Sequence, residues 1–283
     1  DVTITIISLK RFQIPRIITP MPDRQRSLRV EAIVLRHSDW GEADRLLGLF
    51  TRELGKVRAI AKGARKPRSR KAGHLEPFTQ VSLLLARGRD TLIVTQAEAV
   101  DAHLALRDDL VRVGYAAYVI ELLDRFTYEE GENAALYRLL AETLQRLDCE
   151  PDSAFCVRYY EMRLLDLVGF RPRLQQCMRC EQQIIAEDQF FSAELGGTLC
   201  PNCGPGVPGS RQVSVGALRV LRHLQRSSYA EARRLPLSPT IDRELESLMQ
   251  HYLTYILERG LNTPAFLRRV RSTAYTSDPE QET

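Results

Sequence analysis

The stretch Arg45-Leu-Leu-Gly-Leu-Phe-Thr-Arg-Glu-Leu-Gly-Lys-Val-Arg-Ala-Ile-Ala-Lys-Gly-Ala-Arg-Lys-Pro-Arg-Ser-Arg-Lys71 sets two short apolar runs beside a dense run of cations. Arg45 to Thr51 and Lys56 to Ala61 are rich in leucine, valine and isoleucine and are parted by Leu54-Gly55, which reads as two strands joined by a turn. The last ten residues, from Lys62 to Lys71, cannot continue either strand, and Gly63 and Pro67 discourage a regular helix. Working outward, Leu28 to Arg36 precedes this pair, and Thr79 to Ala86 and Thr91 to Val100 follow it. The breaks fall at Gly41 and at Gly88-Arg89-Asp90. Five strands with a long polar excursion between the third and fourth predict a small closed barrel of the OB-fold type, whose faces and loops bind oligonucleotides.

Beyond about Ala102 the period changes to that of helices. Asp108 is placed to cap an apolar helix ending near Phe126. Asn133 is placed to cap a second, with Leu136, Leu139, Leu140, Leu144 and Leu147 on one face. Asp152 is placed to cap a third, which Gly169 and Pro172 stop. Two later helices, about Ser214 to Gln225 and Thr240 to Glu258, complete a helical domain. The expected class is therefore α+β: an N-terminal OB-fold barrel at 28–104, then a helical domain at 105–172 and 210–272 carrying an inserted cysteine module at 173–209. Residues 1–27, with Pro15, Pro20 and Pro22, read as a flexible extension, and 273–283 as a polar tail.

Of the 283 residues 44% are hydrophobic and 27% charged, ordinary values for a globular protein. The longest apolar runs fall far short of the roughly 20 residues that span a bilayer, so no membrane segment is expected. Asp1 to Arg11 lacks the basic start and cleavage site of a secretory signal, and the cytoplasm is the expected compartment. No acidic residue lies between Glu53 and Glu76, where Lys56, Arg58, Lys62, Arg65, Lys66, Arg68, Arg70 and Lys71 contribute +8. Against a net charge of +4 this leaves −4 for the rest of the chain. Such an island points to a local polyanion site, with phosphates as its partner and a salt-dependent, sequence-independent affinity. Base-stacking residues are scarce: Trp40 is available, while Phe50 and Phe78 are expected to fill the barrel core.

Cys177-Met-Arg-Cys180 and Cys200-Pro-Asn-Cys203 match the paired C-x-x-C spacing of a structural zinc site. Four thiolates close the coordination shell, so Zn2+ here holds a module together and leaves no position for catalysis. Signals for an enzyme are weak. Gly204-Pro-Gly-Val-Pro-Gly209 follows a cysteine turn and lacks a βαβ setting, no phosphate loop with G-x-x-x-x-G-K occurs, and the five histidines are scattered. A non-enzymatic binding protein is expected.

Arg29-Val-Glu-Ala-Ile-Val-Leu-Arg36, Gly41-Glu-Ala-Asp-Arg-Leu-Leu47, Leu49-Phe-Thr51, Gly55-Lys56, Ala61-Lys-Gly-Ala-Arg-Lys66, Leu75-Glu-Pro-Phe78 and Gly88-Arg89 resemble, in that order, the barrel of the bacterial RecO family of recombination mediators. The likeness continues through Leu106-Arg-Asp-Asp-Leu110, Gly169-Phe-Arg-Pro172, the first cysteine pair and Gly196-Gly-Thr-Leu-Cys-Pro-Asn-Cys203. It implies a protein that binds single- and double-stranded DNA and anneals complementary strands. It further implies a partner, RecR, with which RecA is loaded onto DNA coated by single-strand binding protein during repair, and contact with that binding protein. On this sequence the DNA role falls on Lys62, Arg65, Lys66, Arg68, Arg70 and Lys71, and the zinc role on Cys177, Cys180, Cys200 and Cys203. The alternative is an OB-fold and zinc-ribbon protein acting on RNA or in transcription.

Overall fold

Strands that place small and branched apolar residues at every second position present one apolar face, and a sheet that closes on itself hides that face inside. The computed structural model, which describes residues 27–276 apart from 90, 129, 130 and 259, has such a closed sheet. Its strands are β1 (Ser27–Trp40), β2 (Asp44–Thr51), β3 (Gly55–Ala61), β4 (Gln80–Arg87) and β5 (Leu92–Asp101), in the order β1-β2-β3-β5-β4, with β1 and β4 pairing to close the ring. Only β3 and β5 are parallel, which requires the long β3–β4 excursion to cross the mouth of the barrel. Val34, Leu47, Leu49, Ala59, Val81 and Leu83 fill the inside.

The outer face of β1 and β2 is apolar too. Ile33 and Phe50 are paired across the two strands and, with Leu35, belong to the core of the following helices. Phe78 packs against that same core, so neither phenylalanine lines the barrel as the sequence suggested. Beyond the Ile33–Phe50 pair a register shift between Val34 and Arg36 inserts one residue: Leu35 joins the outer core while Arg36, next along, is exposed.

The helical domain comprises α1 (Leu104–Arg107), α2 (Leu110–Phe126), α3 (Ala134–Cys149), α4 (Ser153–Leu167), α5 (Val215–Arg226), α6 (Tyr229–Ala232), α7 (Pro239–Leu257) and α8 (Thr263–Thr276). Side-chain oxygens of Asn133, Asp152, Ser214 and Ser238 cap α3, α4, α5 and α7. At α2 the cap is Asp109, which accepts from the backbone N–H groups of Val111 and Arg112, not Asp108. Helix α8 was not anticipated. It starts at Thr263-Pro264, a favourable first turn, and docks Leu267 against Gly114 of α2.

Between α4 and α5 lies a three-stranded sheet of β6 (Gln189–Ser192), β7 (Gly197–Leu199) and β8 (Arg211–Val213), in the order β7-β6-β8. Its Phe191, Leu199 and Val213 share one core with α2 to α7, so the cysteine module and the bundle stabilise each other. Residues 1–26 and 277–283, where the extension and most of the polar tail were expected, lie outside the described residues, as does Arg259.

Candidate nucleic-acid interface and metal centre

The basic excursion is a built loop tied down at both ends. Near its start, Gly63 N–H donates to Asp44 Oδ1 at 2.8 Å and Arg65 N–H to the Ala43 carbonyl at 2.9 Å. The Arg65 guanidinium pairs with Asp39 at 3.1 Å and reaches the Gly41 and Glu42 carbonyls. These bonds fasten the loop to the β1–β2 turn. Ala64 and Leu75 are fully buried and join the barrel core as its plug. At the far end Glu76 accepts from Arg45 at 2.8 Å and lies 3.1 Å from His37. Burial pushes the Glu76 carboxyl up, but the hydrogen bonds from Arg45 and His37 outweigh it and hold the group below the usual carboxylate range.

The eight sequence-predicted cations separate by what they touch. Lys56 lies at the domain junction: its ammonium meets Asp124 at 2.7 Å and donates to the carbonyls of Asp124 and Thr127, with the side chain only 16% exposed. The adjacent Gly55 has φ 68°, and a Cβ there would sit 2.1 Å from the Gly131 carbonyl, so only glycine lets this hairpin approach the helical domain so closely. Arg65 braces the loop and Lys71 donates to the Val94 carbonyl at 3.2 Å. By contrast, Lys62, Lys66, Arg68 and Arg70 are exposed, and among the described residues their side chains have no partner. Arg58 is exposed on β3. Trp40, 52% exposed, follows Asp39 at the same end of the barrel and offers a flat apolar face beside the loop.

Of one further row of residues the sequence reading named Arg58 alone. Arg36, Gly48 and Arg58 are paired across β1, β2 and β3. The Arg36 side chain arches over Gly48, where a Cβ would come within 3.0 Å of it. Thr91 donates to the Arg58 carbonyl, which brings the β4–β5 loop with exposed Arg87 and Arg89 to this face. Strand alternation was the available signal for Arg58, next to inward Ala59, but it sets Arg36 on the face of Val34, and only the register shift at Leu35 turns Arg36 outward.

The four cysteines come together as predicted. The Sγ atoms of Cys177, Cys180, Cys200 and Cys203 all lie within 4.8 Å of one another, with 3.8 Å between Cys180 and Cys200. Thiolates about 2.3 Å from a tetrahedral zinc stand about 3.8 Å apart, so the donor set fits that ion. Each knuckle turns on backbone hydrogen bonds, Glu181 N–H to the Cys177 carbonyl and Gly204 N–H to the Cys200 carbonyl. A Cβ on Gly204 would lie 2.2 Å from the Phe190 ring, which makes glycine obligatory behind the second knuckle. Burial pushes the Cys177 thiol up, but N–H groups of Cys180, Cys200 and Arg179 overcome it and bring the thiol to about 6. Its neighbours respond: hydrogen bonding to Cys200 leads the rise of Cys203 to about 12. Four thiols this close reach full ionisation only with a cation among them.

Arg268 and Arg271 on α8 are engaged within the helical domain. Arg271 pairs with Glu246 at 2.6 Å and donates to Tyr115, and Arg268 donates to Gln250. No helix among the described residues is long and apolar enough to cross a membrane.

An OB barrel fused to a helical domain with a four-thiol knuckle defines a class of two-domain proteins, and comparison places the chain within it. Residues 26–103 match the family model "Recombination protein O N terminal" and residues 107–265 match "Recombination protein O C terminal". The chain is 43% identical over 256 residues to the DNA repair protein RecO of Roseiflexus sp. strain RS-1, covering 90% of each. It is 39% identical to that of Pelotomaculum thermopropionicum, covering 85% of this chain and 93% of the relative. For that of Dehalococcoides mccartyi strain 195 the identity is 36%, with 83% and 93% covered. The chain belongs to the RecO family of DNA repair proteins.

Proposed function

We propose that this protein is a DNA-binding recombination mediator. It binds single- and double-stranded DNA, anneals complementary strands and, with RecR, helps load RecA onto DNA coated by single-strand binding protein. The observation that carries the DNA-binding part is the set of exposed, unpartnered cations Lys62, Lys66, Arg68 and Arg70 on a loop whose backbone is fixed to a rigid barrel. A cation with no carboxylate of its own is available to a phosphate, and a fixed loop loses little entropy on binding one. Arg58, Arg65 and Lys71 shape the same surface, and Lys56 supports it from the domain junction. Trp40 gives one base a stacking platform.

Annealing follows from charge. Two strands repel through their phosphates, and a basic surface that neutralises both while reading neither lets base pairing select the match. No bond is made or broken by the protein in such a process, so the chain acts as a mediator and not as an enzyme. Cys177, Cys180, Cys200 and Cys203 hold a structural Zn2+, which stabilises the module joined to the bundle. Such work is done at the bacterial nucleoid, in the cytoplasm.

The test is a salt titration of single-strand binding together with annealing of complementary oligonucleotides coated by single-strand binding protein, without nucleotide. Four phosphate contacts give a log-log slope of about −3. The Lys62→Ala/Lys66→Ala/Arg68→Ala/Arg70→Ala variant is expected to flatten that slope and lose annealing while keeping its melting temperature. An unchanged slope moves the site off this loop. If folded, metal-loaded wild type does not anneal, the mediator reading falls.

A further inference from the structure

A second acid-free stretch, longer than the first, runs from the cysteine module into the helical domain. No aspartate or glutamate occurs between Glu194 and Glu231, while Arg211, Arg219, Arg222 and Arg226 do. The last three recur along α5 at i, i+3 and i+7, which puts them on one face of the helix. They border a cavity of about 230 Å3 whose other walls are Gln175, Ala186, Val215 and Leu218.

Among the described residues no acid answers the charges on this ridge. Arg219 and Arg226 are exposed, and among the described residues their side chains have no hydrogen bond or ion pair. Arg222 donates through both Nε, at 2.9 Å, and Nη2, at 2.6 Å, to the Leu174 carbonyl, which orients its guanidinium but does not neutralise it. Of the acids, Glu231, five residues past Arg226, accepts from the Ser228 N–H and hydroxyl, and Asp188 accepts from the Val215 N–H at the start of α5 at 2.9 Å. Three cations, one of them held in place, around a concave, apolar-floored site form a receptor for a polyanion that also carries flat apolar groups.

We infer that the arginine ridge of α5, with the cavity beside it, is a second single-strand site, separate from the barrel loop, that holds the complementary strand during annealing. From Arg219 to Arg226 the helix advances roughly 10.5 Å. Three nucleotides of one strand at about 3.4 Å each span almost the same length. Phosphates lie along the guanidinium groups. A base edges into the cavity, its face on Val215 and Leu218 and its polar edge at the Gln175 amide. With one strand on the barrel and one on the bundle, the protein carries both reactants of annealing, whereas a single basic loop makes them compete. The inference rests on the DNA-binding reading of the barrel.

The test uses the full-length chain and iodouracil-containing dT15, a homopolymer that cannot pair with itself. Wild type at low salt is expected to bind two strands per chain. The quadruple barrel-loop variant is expected to retain one, photo-cross-linked within residues 211–226. Arg219→Ala/Arg226→Ala, at two exposed positions with Arg222 left in place, is expected to retain one strand cross-linked to the barrel with Kd within twofold of wild type. Annealing should slow at least tenfold. Two strands still bound by the α5 variant, or no cross-link at residues 211–226, overturns the ridge site. So does an α5 variant whose only loss is affinity for an acidic peptide, which would assign the cavity to a protein partner. If wild type binds one strand and the barrel variant none, the ridge alone is overturned. A wild type that binds no strand overturns the barrel reading and the ridge with it.

Discussion

The most demanding single residues are buried charges. Arg158 and Glu161, both on α4, are 4% and 0% exposed and lie 2.5 Å apart, and Tyr118 of α2 donates to Glu161 at 2.6 Å. Burial raises the Glu161 carboxyl and the Arg158 guanidinium opposes it, so removing the arginine leaves a buried acid whose escape is to take up a proton. Arg158→Met is therefore expected to lower unfolding free energy by about 3–5 kcal/mol, and adding Glu161→Leu to return most of it. A carboxyl with its native pKa raised binds more protons folded than unfolded above the ordinary value of 4.5, so stability falls as pH rises. Urea unfolding of Arg158→Met should thus show a larger loss at pH 8 than at pH 5. Equal losses at both would mean that Glu161 finds another partner.

At the scale of elements, α8 is held by one carboxylate of α2. Glu121 accepts from the backbone N–H groups of Asn262 and Thr263 and from the Thr263 hydroxyl, capping α8 from outside its own segment. Burial pushes Glu121 up, yet these bonds and Arg125 hold it below its ordinary value. Its contribution is therefore complete above about pH 4.5 and is lost as pH falls through the lower native value. Hydrogen exchange over 263–272 is expected to quicken in Glu121→Ala, by about 1 kcal/mol of local opening, and in wild type only under acid. Unchanged protection in the variant would show that Leu267 and the Arg271 pair with Glu246 hold the helix without Glu121. The cysteine module yields a second prediction: Cys177→Ser should lose bound zinc and melt earlier, with exchange spreading into α5 and α7 through their shared core. Zinc retained at one per chain with an unaltered melt would refute the structural role. These elements also mark what the sequence revealed. The five strands, the capped helices and the cysteine spacing were legible because each depends on local period or fixed spacing. Helix α8 was missed because its anchor, Glu121, lies 141 residues away from Asn262. The outward placement of Phe50 was missed because a strand apolar on both faces reads the same as one whose alternation is blurred.

For the whole molecule, the question is what sets the barrel against the bundle. Apolar Ile33, Leu35 and Phe50 supply the contact area, and polar groups fix its direction: Lys56 on Asp124, Arg107 on the Pro77 carbonyl and Thr79, and Gln80 on Tyr137. Lys56 was counted from sequence with the DNA-binding cations because charge density along a chain does not tell which lysine faces a neighbouring domain. Its 16% exposure and three acceptors on α2 and the segment after it give it a different task. Lys56→Met keeps the aliphatic stem and removes the charge, leaving Asp124 half-buried beside an apolar group. A charge-assisted contact of this kind contributes about 2 kcal/mol. The variant is expected to bind dT15 with unchanged salt slope, while protease cleavage between the domains, over 101–104, accelerates and the melting transition broadens or splits. If instead Lys56→Met loses one phosphate's worth of salt slope, about 0.7, and melts like wild type, the lysine reaches DNA. In that case the barrel turns on the bundle when a strand binds.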